Sequence, residues 1–332
     1  MADLRRFVIR RLLTFIPTLV GVTFIVFVIA AVIPANPALL WAGGQKASPQ
    51  VVKKLIEEYH LNDNILSRYY FLMKKLLTNT MVSPVSHDYV WHVIKMKFPV
   101  TIQLTIIAFI IIVALGIPLG IVAALYKDTI IDTLIRIFAL IGVSTPIFWL
   151  AYLLIYVFYT KYHVIVLAGT PKLPYSITGI PLIDAILKLD INGLREVLAR
   201  YWLPGFVLGF AGIGVVARIV RNSFLDAMSS DFVEYAMARG LSRWRIYRHV
   251  LRNAMVPVVT VLGLMFGGLL AGAPITETIF GLPGIGRFML ESITGYDYLS
   301  LIGGVFVIAL IYLTVNLIVD VLYAIIDPRV RY

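Results

Sequence analysis

Apolar positions run with little interruption through six stretches, roughly Leu12–Ile33, Pro99–Leu125, Leu134–Thr160, Trp202–Ala217, Val256–Phe280 and Leu301–Ile326. Most reach the ~20 residues that a hydrocarbon core about 30 Å thick demands of a helix. The fourth is short by this measure and is expected to continue past Arg218, its arginines reaching back to the interface. Lipid offers no partner to a backbone amide, so a chain of this pattern must satisfy itself internally. The expectation is an all-α integral membrane protein with six transmembrane helices. Pro146, inside the third stretch after Ser144-Thr145, predicts a kink.

Polar positions gather in the connections. The segment from Ala35 to Phe98 opens on Pro34 and Pro37, which are expected to end the first helix. Ser48-Pro49 reads as an N-cap and first helical residue for Val51–Tyr59, with Leu55 and Tyr59 on one stripe, and a second amphipathic helix is expected over Leu66–Leu77. The connection Tyr162–Tyr201 carries Pro171, Pro174, Gly179 and Pro181, hence turns before another short helix. Three parts follow: residues 1–33 with the first span, 34–98 as a small helical extracytoplasmic element, and a core at 99–332 that includes a basic loop over about 222–256.

Composition narrows the reading further. Of 332 residues, 60% are hydrophobic and 14% charged, against about a quarter charged in soluble domains. A formal charge of +11 would suggest nucleic acid in a soluble protein. Here the basic residues flank apolar spans, so they read as topology signals and contacts to anionic lipid, with no separate basic domain to bind nucleic acid. The chain has no cysteine, which excludes disulfides, thiolate metal sites and cysteine nucleophiles. Arg5, Arg6, Arg10, Arg11, Lys127, Arg136 and the arginines from Arg218 to Arg252 lie close to span ends on one side. That density places both termini in the cytoplasm. The first span exceeds a signal-peptide core and reads as an uncleaved anchor.

No Gly-x4-Gly-Lys-Ser/Thr, His-Glu-x-x-His or Gly-x-Ser-x-Gly occurs, and no catalytic or metal-binding set is expected. His87-Asp88 and His92 read as solvated loop residues. The loop between spans four and five is different. Glu234, Ala236, Ala238, Gly240 and Leu241 form a small-residue run; its glycine ends one helix, and small side chains let another surface come close. Ser242 is expected to cap the next helix, with Trp244, Tyr247, Val250 and Leu251 as its apolar stripe. A helix lying on lipid explains the tryptophan and arginines but not the small run, so docking to a protein is the better reading.

Gly205-x3-Gly209 and Gly263-x3-Gly267-x3-Ala271 allow close helix approach, either within one bundle or against a second subunit or a path. Glu277 precedes a turn expected at Pro283-Gly284 and is a candidate for an outer mouth. Asp320 lies in the last span, with Asn316 one turn earlier. A structural bond to Asn316, or to an arginine such as Arg218, competes with a proton-coupling role.

These residues resemble the EAA loop of binding-protein-dependent ABC import permeases, Glu-Ala-Ala-x3-Gly followed by Ile-x-Leu-Pro. Glu234, Ala236 and Gly240 match, and Tyr235 replaces the first alanine. The proline falls late, at Pro257, which is similar to the B-type subunit of the dipeptide/oligopeptide subfamily. Gly116-Ile-Pro-Leu-Gly120, Ser144 to Trp149, Glu277-Thr-Ile-Phe280, Pro283-Gly-Ile-Gly286 and Val315 to Asp320 resemble that subfamily in order along the chain. Leu77–Asp88 departs from its pattern. The resemblance implies a type I ABC importer permease fold and a translocation subunit that binds no cofactor itself. ATP and Mg would sit on two separate ABC ATPase subunits, one of them docked on Glu234, Ala236, Ala238, Gly240 and Leu241. A second, C-type permease and an extracytoplasmic substrate-binding protein would complete the assembly. Peptide is the expected cargo, with oligosaccharide or nickel as alternatives. A stand-alone proton-coupled transporter working through Asp320 is the rival of another class.

Overall fold

The computed structural model describes residues 2–32, 36–163, 169–171 and 173–326. Helix α1 (Ala2–Val32) is followed by three short helices, α2 (Pro37–Trp41), α3 (Pro49–Glu58) and α4 (Ile65–Leu77). Then come α5 (Val90–Leu125), α6 (Ile130–Ser144), α7 (Ile147–Ile155), α8 (Pro181–Leu187) and α9 (Ile191–Met228). The chain closes with α10 (Asp231–Ala238), α11 (Arg243–Leu270), α12 (Pro274–Ile279), α13 (Ile285–Thr294) and α14 (Tyr298–Ile326). Among the described residues, the sole extended pairing is an isolated bridge between Val82 and Tyr89.

Among the described residues, five helices are long and apolar enough to span: α1, α5, α9, α11 and α14. Helices α6 and α7, the latter prolonged by a π-helical turn Tyr156–Lys161, make a sixth span if taken together. They are bent by 102° at Thr145-Pro146, so the expected kink is a full break. Proline lacks the N–H that α7 would need to continue the ladder of α6. This is an all-α, multi-pass membrane protein.

Several boundaries differ from the sequence expectation. Helix α5 starts at Val90, ahead of Pro99, because Val90, Val93 and Ile94 extend its apolar face and are buried against α4 and α14. The fourth span does run past Arg218, and it begins early at Ile191, where the Asp190 carboxylate accepts from the amides of Asn192 and Gly193 at 3.0 Å each. The fifth stretch is two helices. Helix α11 carries Pro257 inside it, and the chain breaks at Ala271–Ala273, where Gly272 takes φ +99° before Pro274 opens α12. Pro37 opens α2, with Asn36 as its cap, instead of merely ending α1. Pro34 lies outside the described residues. Helices α3 and α4 arrive where the pattern placed them, and Tyr59 is buried with Leu72 and Leu76 against α1 and α14.

The bundle is drawn together by small residues. Helices α5 and α9 pack along most of their length. A β-carbon at Gly120 would stand 2.6 Å from the Ala217 carbonyl oxygen, and one at Gly214 would stand 2.5 Å from that of Ala139 on α6. Lipid supplies no hydrophobic drive between helices, so this close approach contributes packing that holds the bundle together. The α10 connection lies at one end of the bundle, the loop end. The residues 36–89 lie at the far end.

Candidate coupling loop and buried polar nodes

Helix α10 is short, exposed and anchored by one side. Val233 and Ala236 turn inward against Phe224, Ala227, Ile246, Val250 and Ala254. The opposite face presents Glu234, Tyr235, Met237 and Ala238, with Tyr235 62% and Met237 57% exposed. The Arg239 guanidinium sits 4.9 Å over the Tyr235 ring, a cation–π contact that stiffens this face.

The helix ends in a Schellman motif. The Leu241 amide donates to the Ala236 carbonyl (3.2 Å) and the Gly240 amide to that of Met237 (2.9 Å), with Gly240 at φ +73°. A β-carbon on Gly240 would meet no atom of its own chain. Its space is open, and its backbone conformation is the one glycine alone adopts without strain. Leu241 is half-buried and packs back on the loop-end core, the apolar contact that accompanies such caps.

Of the expected docking set, Glu234, Ala238 and Gly240 are therefore on the open surface. Ala236 is internal and fixes how close α10 lies to α9 and α11. Tyr235 and Met237, which the small-residue pattern passed over, are the large apolar side chains exposed on this face. The stripe expected on the next helix is rotated: its buried line is Ile246, Val250, Ala254 and Val258, whereas Trp244 is 78% exposed. Ser242 has the extended backbone of a cap but its hydroxyl makes no capping bond.

Of the residues expected at a path or an interface, Gly267 and Glu277 are buried, while Gly263 and Ala271 are partly exposed and Gly263 lines an open cleft with Phe109, Val259 and Phe266. A side chain on Gly263 would collide with Val319 of α14, and Gly267 faces Val315, Tyr312 and Asn316 of the same helix. Ala271 caps α11 at the helix break. These small residues seat α11 on α14 within one subunit. Glu277 is 0% exposed and forms no open mouth in this conformation. Its carboxylate accepts from the Thr101 hydroxyl of α5 (2.8 Å) and from the Arg287 amide (2.7 Å), while Thr101 accepts from the Ile285 amide (2.9 Å). Gly284 leaves room for this carboxylate, since a β-carbon there would overlap it. Glu277 thus ties α12, α13 and α5 into one far-end unit.

Residues 116–332 match the model of a family described as the binding-protein-dependent transport system inner membrane component, and residues 4–105 match that of its N-terminal part. The chain is 38% identical to a dipeptide transport system permease of Alkalihalophilus pseudofirmus, over 98% of this chain and 99% of that one. It is 36% identical to the dipeptide transport system permease of Escherichia coli K12, over the same shares of the two chains. A glutathione transport system permease of another Escherichia coli strain is 34% identical, again over 98% and 99%. The chain belongs to this family of transport permeases. A subunit of such a system works with a substrate-binding protein, a partner permease and ATPase subunits.

In this permease the intramembrane acid Asp320 is not bonded to Arg218, as the sequence left open. It pairs with Arg11 of α1 at 3.0 Å and so fastens the first span to the last. The Asn316 side-chain oxygen, one turn earlier, is buried and has no hydrogen-bond donor among the described residues.

A second ion pair had no place in the sequence expectation. Asp132, at the start of α6, is 0% exposed and accepts two bonds from Arg221 of α9, to Nε and Nη2 at 2.7 Å each. The Asp128 amide adds a third at 3.1 Å. The i,i+4 contact from Arg136 to Asp132 is the looser one at 3.5 Å. Outside the spans, Asp88 pairs with His92 at 2.7 Å, and that bond holds its carboxyl below the usual range. The described residues contain no cluster of three metal-type ligands.

Proposed function

We propose that this permease carries di- or oligopeptides inward across the cell membrane, driven by ATPase subunits that grip α10 from the cytoplasm. The supporting observation is the conjunction of an exposed α10 ending at Gly240 with end-to-end similarity to permeases named for dipeptide transport. Glu234, Tyr235, Met237, Ala238 and Gly240 form the face that enters the ATPase. Both termini are cytoplasmic, and the 36–89 element meets the binding protein outside. A related C-type permease faces this chain across the path, and two ATPases complete the complex.

Closure of the ATPases on ATP draws the two α10 helices together and turns the permease pair from inward- to outward-facing, a change of populations driven by differential contacts in the two states. The proton-coupled reading loses its motive, because the acid it relied on is engaged by Arg11. The cargo is tested by isolating the assembled complex with its binding protein, identifying the retained ligand and measuring ATP-dependent uptake of that ligand into proteoliposomes. Retained peptide with ATP-dependent uptake is expected. An oligosaccharide or nickel as the retained, transported ligand would replace peptide in this account.

A further inference from the structure

A cleft of about 330 Å³ opens at the loop end between α6 and α9, floored by Ala123 of α5. Its mouth carries Arg136, Arg218 and Arg221; its walls are Ala139, Leu140 and Val143. Asp132 is the carboxylate at this mouth, and it is already saturated by Arg221 and the Asp128 amide. Arg136 stands off at 3.5 Å and is more than half exposed. Among the described residues Arg218 has no carboxylate partner and is exposed. Three guanidiniums stand against Asp132, and the neighbouring Asp128 carboxylate is offset by Lys127 at 3.9 Å, so an excess of two positive charges is left at a cleft with apolar walls.

We propose that this cleft holds the headgroup and upper acyl chain of an anionic glycerophospholipid. The phosphate diester sits between Arg136 and Arg218, which offer planar forks of donors suited to it. From Arg136 to Val143 the wall descends seven residues, about 10 Å along α6. That wall is apolar and open toward the exposed Leu140 and Val143. Charge at the membrane surface over an apolar wall is the polarity of a lipid. A peptide would bring backbone amides and carbonyls, and beyond the arginines and Asn222 the lining has nothing to pair with them. Bound there, the lipid would wedge α6 against α9 beside the Asp132–Arg221 pair, close to the helix that leads into α10.

The test uses the complete importer purified in mild detergent, with phosphatidylglycerol as probe and native mass spectrometry plus lipid extraction as readouts. Each arginine near an anionic headgroup contributes about fivefold in affinity, so Arg136→Gln/Arg218→Gln should retain the lipid about 30-fold more weakly. Arg136→Lys/Arg218→Lys preserves charge and should keep most of it. Lys53→Gln/Lys54→Gln, with the same loss of charge in the far-end element, should retain it fully. Inorganic phosphate should not displace the lipid. Equal retention by the Gln variant overturns the proposal, as does displacement by phosphate alone. A Gln variant that keeps its lipid but sheds the partner permease would assign the cleft to that subunit. One that keeps its lipid but raises KM for peptide would assign it to cargo. Either result contradicts a lipid site.

Discussion

Asp132 and Glu277 are wholly buried acids whose partners come from far along the chain. Asp132→Asn leaves Arg221, itself 15% exposed, without its counter-charge. Breaking a buried pair in this way costs about 3–5 kcal/mol, so the extracted protein should melt well below wild type. An unchanged melting temperature would show that the pair contributes nothing. Glu277→Gln keeps one acceptor oxygen where donors now reach both, Thr101 and the Ala273 amide on one and the Arg287 amide on the other, and a donor left unmet costs about 1–3 kcal/mol. It should lower thermal stability while leaving ATPase association intact; lost association at normal stability would place Glu277 in coupling instead. Sequence marked Glu277 because an acid stood out among apolar neighbours. It could not supply the role, since Thr101 is 176 positions away and nothing local announces it. Gly240 was legible for the opposite reason: its cap is built from neighbours within the same turn.

At the scale of elements, the stretches of apolar residues located the spans but not their breaks. Pro146 signalled an interruption, yet a proline inside a helix is also tolerated, as Pro99, Pro118 and Pro257 show here. What separates the cases is tertiary. Gly272 at φ +99° packs on Gly286, and only a broken chain makes that contact. Helix starts were missed even where a cap was present: Asp190 opens α9 at Ile191, well ahead of the expected Trp202. Gly193's amide first, then the Tyr175 hydroxyl and the Asn192 amide, hold its carboxyl below the usual carboxylate range. Burial, together with the bond to Asp190 and its charge, pushes the Tyr175 phenol up to about 12. A depressed carboxyl contributes stability that is complete above its unfolded value, about 4, and is lost as pH falls through the lower folded value. Protection of the Asn192 and Gly193 amides against exchange should thus hold from neutral pH down to about 4 and fall only below it. Tyr175→Phe raises the folded value toward the unfolded one, so it should lower protection at neutral pH and shrink the loss seen below about 4. Unchanged protection in the variant would exclude Tyr175 from the cap.

For the whole molecule, the alternation of span directions and the side taken by α10 set the mechanism, and a cysteine-free chain makes the orientation easy to read. Asn62→Cys in the far-end element should react with a membrane-impermeant maleimide in intact cells. Ser229→Cys beside α10 should react only after permeabilisation; the reverse pattern would invert the topology. The family could be read from scattered motifs because Glu234, Gly240 and Pro257 lie close together in one stretch of sequence. Which side of α10 is open could not, since Ala236 and Tyr235 exchange the roles that their sizes suggest. The central claim is that separate ATPases drive this permease through α10. It is tested most directly by measuring ATPase retained on gentle extraction of the assembled complex carrying wild-type or Gly240→Trp permease. Open space around Gly240 lets the bulky side chain sit without clash in its own chain, while its φ of +73° strains Trp and Ala alike, so Gly240→Ala, which strains the cap without the bulk, should retain most of the ATPase. The account therefore predicts normal membrane insertion of the variant, full ATPase retention by wild type and at least a tenfold loss in the variant, about 1.4 kcal/mol or more of docking energy. No ATPase on the wild-type complex, or equal amounts on both, would contradict it.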